Sequence, residues 1–369
     1  MARKLQSDKW LFLATLALVC TSIVMVYSAS ALVALERFHQ PYLFVTRQAI
    51  WAAIGMAILS IVMRIDYRTY RNDKLIWTLL GVVAVLLVAV LFSRPINNAK
   101  RWVGLGGFGI QPSELAKLAA ILFTAYTLER RRTRINEISY SLLPIAVIVG
   151  GLVGLIMLEP DFGTSVSLLA VIGLMVFAAG FSYRYVGGAL LLALPAMYVV
   201  VMQADYRRRR LLTFMDPWSD PLGDGFQIIQ SLIAVGTGGV FGKGLMQGVQ
   251  KLFYLPEPQT DFIYSVISEE LGMIGATLVV LCFCVIAWRG LRTAMRAPDS
   301  FGAFLALGIT MMLVLQALFN ISVVLGLVPT KGIPLPLVSN GGSSMLINLL
   351  AVGVLLNISQ HSQVETGAA

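Results

Sequence analysis

Apolar residues in this chain fall in long unbroken runs, not in the one-sided stripe of a soluble helix or the alternation of a half-buried strand. A helix needs about 20 apolar residues to cross a bilayer. Runs near that length lie at roughly 10–32, 48–63, 75–92, 113–129 and 141–158, and again at 162–180, 185–202, 262–288, 301–326 and 344–359. The pattern predicts an all-α, polytopic integral membrane protein with about ten transmembrane helices. The first run follows Arg3, Lys4 and Lys9 as a signal peptide would, but it extends from Trp10 to about Leu32 and reads as a retained anchor.

The polar positions between the runs set the topology. Ten spans put both termini on one side, and the basic stretches Arg64 to Lys74, Glu129 to Arg134 and Arg289 to Arg296 fall on that same side, which is therefore predicted to be cytoplasmic. The opposite side carries 93–112, 159–161, 203–260 and 327–343, with most of the Gly and Pro clusters. The segment 203–260, between the seventh and eighth spans, is a large extracytoplasmic loop. A connection of that length without structure is improbable, and Gly225 to Val235 reads as a short apolar helix lying at the interface or dipping into the protein. No apolar-poor block of domain size interrupts the runs, so residues 1–369 form one membrane domain.

Composition changes this picture little. Hydrophobic residues make up 57% and charged residues 13% of the chain, against about 25% charged in soluble domains. A net charge of +9 would point to nucleic acid in a soluble protein; here the basic residues sit in short loops and serve topology, so no nucleic-acid partner is expected. Cys20, Cys282 and Cys284 have no metal-site spacing, and His39 and His361 are too few for a Ser-His-Asp triad or a zinc HExxH site. Gly104 to Gly109 fits GxGxxG without a βαβ unit around it, and Gly242-Lys243 lacks the remaining residues of a P-loop. Neither nucleotide, haem nor zinc is expected, which leaves acid–base chemistry to carboxylates and lysines.

Charges at the edges of the apolar runs are therefore the informative residues, because a charge within a spanning helix usually faces a cavity or a partner. Ser113 could cap a helix after Pro112, with Glu114 in its first turn; Glu114 and Lys117, three residues apart, share a face and form either a structural pair or a phosphate-binding unit. Asp161, after Glu159-Pro160, is either a helix cap or a carboxylate facing the outward cavity. Asp261 stands at the threshold of the eighth span, as a cap or as a functional acid. Ser265, Ser268 and Gly272 fall within about 40° of it at 100° per residue, a polar stripe suited to a cavity wall. Glu269 and Glu270 cannot both share that surface, and Glu270 is expected to have a structural partner. Arg207, Arg208, Arg209 and Arg210 read either as a headgroup anchor or as an anion site for a lipid-linked pyrophosphate.

Taken together, the motifs resemble the SEDS family (shape, elongation, division and sporulation) over essentially the whole chain. They run from Met25-Val26-Tyr27-Ser28-Ala29-Ser30 through Arg101-Trp102-Val103-Gly104, Gln111-Pro112-Ser113-Glu114-Leu115-Ala116-Lys117-Leu118 and Glu159-Pro160-Asp161-Phe162-Gly163-Thr164. Asp216-Pro217-Trp218 and Gly225 to Ser231 follow in the long loop. Val249 to Glu257 and Pro329 to Pro336 look more like the division member than the elongation member. Asn340 departs from the Tyr usual there.

The resemblance implies a peptidoglycan glycosyltransferase acting on lipid II and its nascent lipid-linked glycan. It also implies a class B penicillin-binding protein and other divisome proteins as partners, at the septum of a bacterial inner membrane. It carries the essential acid of the TDF motif onto Asp261, the other cavity residues onto Glu114, Lys117 and Asp161, and a functional role onto Arg101. Arg101, Lys117, the arginines 207–210 or a divalent cation (Mg or Mn) could neutralise the leaving diphosphate. A lipid II flippase and a scaffold that only activates the penicillin-binding protein are the competing readings; no inverted repeat favours the first.

Overall fold

The structure, a computed structural model, describes residues 7–93, 101–105, 108–203, 205–223, 225–252, 254–330 and 332–365. Each of the ten apolar runs is helical. The first seven are α1 (Lys9–Phe38), α2 (Leu43–Val62), α3 (Asp73–Leu91), α4 (Pro112–Arg131), α5 (Leu143–Leu158), α6 (Phe162–Ala178) and α7 (Tyr183–Met202). The long loop contributes α8 (Asp205–Met215) and α9 (Phe226–Gly238), and the last three runs are α10 (Ile263–Met295), α11 (Ser300–Val324) and α12 (Gly342–Glu365). Among the described residues seven helices are long and apolar enough to cross a membrane: α1, α2, α3, α5 with the turn before it, α10, α11 and α12.

Local chemistry fixes the helix starts. Asp8 accepts the N–H groups of Trp10 and Leu11 to open α1, Asn72 accepts that of Lys74 to open α3, and Asp299 accepts that of Gly302 to open α11. In α4 the cap is Gln111, not the expected Ser113, because Pro112 takes the first helical position, where its missing N–H costs nothing.

α4 is the least apolar of the ten and sits at the centre. Nearly every residue from Pro112 to Leu128 is buried, against α3, α5, α6, α11 and α12. Protein, not lipid, surrounds its Glu114 and Lys117. The outer helices turn side chains such as Leu13, Ile61, Trp77, Val85 and Val147 outward, as a lipid-facing surface requires.

Strands β1 (Val103–Leu105) and β2 (Phe108–Ile110) form a small antiparallel hairpin, with Val103 opposite Ile110. Gly104 and Gly109 of the GxGxxG-like run thus face each other on paired strands, not at the head of a βαβ unit.

α10 is broken at Gly272, whose φ of 66° and ψ of −165° leave the helix. The chain after α9 fills the break: Lys243 N–H bonds to Glu269 O, Gly244 N–H to Glu270 O, and Met273 N–H to Gly239 O. Only glycines allow this approach, since a Cβ on Gly272 would lie 2.3 Å from Gly242 N and one on Gly238 1.9 Å from Ser268 O. Glu269 accepts Lys243 Nζ at 2.7 Å and the N–H groups of Val249 and Gln250. Glu270 accepts Lys251 Nζ at 2.6 Å, Ser28 Oγ and Met246 N–H. Both glutamates thus hold the long loop, in keeping with the structural partner expected for Glu270. The Ser265, Ser268 and Gly272 stripe, expected to wall a cavity, is instead buried against α9 and this loop: Ser265 Oγ lies 2.8 Å from Ser231 Oγ.

The two ends of the bundle differ. One gathers Asp8 with Arg289, Tyr67 and Arg68 with Asp299, and Arg130 with Asp73. The other gathers Arg101, the α4 start, the 159–161 turn, α8, Asp261 and the 327–341 segment.

Candidate functional site

Asp261 ends the long loop immediately before α10, whose cap is Phe262 and whose start takes no side-chain cap bond. Its carboxylate is therefore not a helix cap. Its backbone is held rigidly: Asn320 of α11 donates to Asp261 O at 2.8 Å and to Ile333 O at 2.8 Å. Ser339 Oγ donates to Thr260 O, and Asn340 N–H to Gln259 O at 2.9 Å, so the residue that departs from the family's Tyr ties the two segments through its backbone. Beside the acid stands Gly332, where a Cβ would come within 2.7 Å of Asp261 Oδ2. Among the described residues no hydrogen-bond donor reaches the carboxylate. Burial, then the nearby Glu257, push its pKa up to about 7, while Arg101 and Arg210 oppose the rise and Asp161 adds to it.

The two arginines are anchored by backbone carbonyls. Arg101 Nη2 donates to Pro160 O at 2.7 Å, and its Nε lies 4.0 Å from Asp161 Oδ2. Arg210, on α8, donates to Thr330 O at 3.1 Å. Asp161 caps α6, accepting Thr164 N–H at 3.2 Å and Thr164 Oγ1 at 2.9 Å, yet it also faces Arg101 and Gln111 Nε2. Asp161 is thus a helix cap whose carboxylate also turns towards Arg101.

Glu114 and Lys117 lie deeper. Lys117 Nζ is 2.9 Å from Glu114 Oε1 and 2.6 Å from Gln316 Oε1, with the two charged side chains only 2% and 4% exposed. Gln316 Nε2 in turn donates to Pro334 O, and Ser344 Oγ to Glu114 Oε2. The pair thus supports the 327–341 segment that frames Asp261. Arg208 and Arg209 are exposed on α8; the side chain of Arg207 lies outside the described set.

Sequence reasoning missed Gln316, Asn320, Gly332 and Glu159. Gln316 and Asn320, polar residues four apart in an apolar run, were the available signal; nothing in the sequence marked Gly332 as the neighbour of Asp261. Among the described residues no group of three His, Cys, Asp or Glu could hold a metal, so no resident metal site is assigned. What the arrangement offers is a carboxylate whose pKa burial pushes up towards neutrality, with two guanidinium groups held by backbone carbonyls acting on it.

A model of the FtsW–RodA–SpoVE cell cycle protein family matches residues 9–364. The chain belongs to this family. It is 45% identical over 354 residues to a probable peptidoglycan glycosyltransferase FtsW of Geobacter metallireducens, covering 95% of this chain and 94% of that one. It is 44% identical over 362 residues to stage V sporulation protein E of Bacillus subtilis, covering 98% and 99%. A chain from a peptidoglycan synthase complex that coordinates polymerization and crosslinking superposes with a TM-score of 0.81 at 30% identity, covering 97% and 99%. RodA of Thermus thermophilus superposes at 0.71 and 27%, covering 96% and 97%. The family resemblance and the all-α polytopic fold read from the sequence both stand.

Proposed function

We propose that this chain is a peptidoglycan glycosyltransferase that polymerises lipid II into glycan strands on the outer face of the bacterial cytoplasmic membrane, for the septal wall at division. Asp261 is its general base. The observation that carries the assignment is that the Asp261 carboxylate, uncommitted to a cap or to any donor among the described residues, shares its field with Arg101 and Arg210. As the acceptor hydroxyl oxygen bonds to the anomeric carbon of the donor, Asp261 takes the hydroxyl proton. The bond from that carbon to the diphosphate breaks with inversion, and the polyprenyl diphosphate leaves with the electron pair. A diphosphate is already a good leaving group and requires charge neutralisation more than a proton; Arg101 and Arg210 are placed for that. A divalent cation, Mg or Mn, would arrive with the diphosphate, since Mg usually keeps substrate phosphates among its ligands.

All ten apolar helices cross the membrane in this reading, with both termini cytoplasmic. A class B penicillin-binding protein and other divisome proteins are the partners. Relatives named FtsW at 45% and 44% identity favour a role in division.

The test is polymerisation of purified lipid II by purified protein with its penicillin-binding partner and a divalent cation, comparing wild type with Asp261→Asn. Polymer from wild type and none from a folded, lipid-binding variant supports the assignment. Equal polymer from both removes Asp261 as base, and none from either turns the reading towards lipid II transport.

A further inference from the structure

Glu159 ends α5 at the Pro160 turn, its N–H bonded to Ile156 O at 3.1 Å. The residue is 0% exposed, and neither carboxyl oxygen has a hydrogen-bond partner among the described residues. The other fully or nearly buried glutamates each hold a lysine: Glu114 with Lys117, Glu269 with Lys243, Glu270 with Lys251. Glu159 stands apart, and it does so two residues from Asp161 and beneath the Pro160 carbonyl that anchors Arg101.

The charged groups that act on it are Asp161, at the start of α6, and Arg101. Of the other elements against α5, α4 brings only the mutually paired Glu114 and Lys117, while α3 and the 138–142 turn bring no charge to this end. An unpaired ionised carboxylate in such a place costs more than its protonation.

We infer that Glu159 is a positioning residue for binding of the anionic donor, working as a neutral acid. While it is protonated, Arg101 faces Pro160 O, Asp161, Asp261 and the incoming diphosphate, with no further carboxylate drawing on it. Once ionised, it sets a second carboxylate beside Asp161, draws on Arg101 and repels the diphosphate. Burial first, then Asp161, raise its pKa to about 8, with Arg101 in opposition, so the switch falls just above neutral pH. The role rests on the transferase reading, but diphosphate binding can be measured whether or not polymer forms.

The experiment is direct binding of polyprenyl diphosphate to the purified full-length chain in detergent at pH 7 and pH 9, for wild type, Glu159→Gln and Glu159→Met. At pH 9 only about a tenth of a group with a pKa near 8 is protonated, and apparent affinity falls by the competent fraction. Wild type should therefore lose about tenfold more affinity than either neutral variant between the two pH values. Ionisation of Asp261 contributes equally to all three proteins and drops out of the comparison. The Met variant, apolar and of similar volume, guards against a folding artefact of Gln. Parallel losses in wild type and both variants would overturn the inference, as would equal affinity of wild type at both pH values. Failure of polymerisation with this binding difference intact would instead sink the transferase reading alone.

Discussion

Asp261 must be ionised to take a proton, and its pKa of about 7 sets where that happens. Polymerisation at subsaturating lipid II should fall about tenfold per pH unit below that point, as a one-proton base requires. Asp261→Asn, which keeps the size and removes the base, should lower the rate by about 10² to 10⁴. The same shift has a stability sign. The folded protein holds the Asp261 proton more tightly than the unfolded chain, so stability falls as pH rises from the ordinary aspartate range through 7. Asp261→Asn should therefore raise Tm at pH 8 relative to wild type and leave it nearly unchanged at pH 4. A second residue test uses Gly332: Gly332→Ala puts a methyl 2.7 Å from Asp261 Oδ2 and should cut turnover while the protein stays folded. At this scale the sequence was readable where a charge stood against an apolar run, as at Glu114, Lys117, Asp161 and Asp261. It was silent on which arginine of 207–210 turns towards the acid, because that depends on the rotation of α8. It was silent, too, on Glu159, which lacks, among the described residues, the lysine that the other buried glutamates have.

The ten helices were legible in their apolar runs because a run of about 20 residues has few alternatives in a bilayer. The break in α10 was not, since a single glycine in an apolar helix carries no periodicity signal, and the carbonyls it exposes are satisfied by a loop 26 residues away in sequence. The long loop therefore belongs to the bundle. Its attachment depends on two lysine–glutamate pairs, of which Lys251 with Glu270 is the more enclosed, at 3% and 0% exposure. Removing one partner of a buried pair typically costs about 3–5 kcal/mol. Lys251→Met should destabilise by about that amount, read as a lower unfolding midpoint in detergent, and should loosen the segment leading to Asp261. Gly272→Ala should be worse, because φ of 66° and the backbone of Gly242 and Val240 leave no room for the methyl. If Gly272→Ala unfolds at the wild-type temperature, the break does not anchor the long loop.

At the scale of the whole molecule, charge divides the bundle into a structural end and a chemical end. Asp8, Asp73 and Asp299 at the first end each face an arginine, and the exposed arginines beside them are those that a positive-inside topology requires. At the second end carboxylates outnumber near partners: Asp261 has no donor among the described residues, Glu159 has none, and Asp161 shares Arg101 with a carbonyl. In the proposed reaction this end receives the anionic diphosphate, with a cation to offset its acids, and it faces outward. Replacing Cys20, Cys282 and Cys284 by Ala and adding one cysteine at a time turns this into a measurement. Trp218, 68% exposed in the long loop, belongs to the chemical end, while Arg132, after α4, lies at the structural end, bonded to Ser300. A membrane-impermeant thiol reagent applied to intact spheroplasts should label Trp218→Cys and leave Arg132→Cys unlabelled until the membrane is opened. The reverse pattern would place Asp261 on the cytoplasmic side, where an outward polymerase has no use for it, and would overturn the topology and the proposed reaction together.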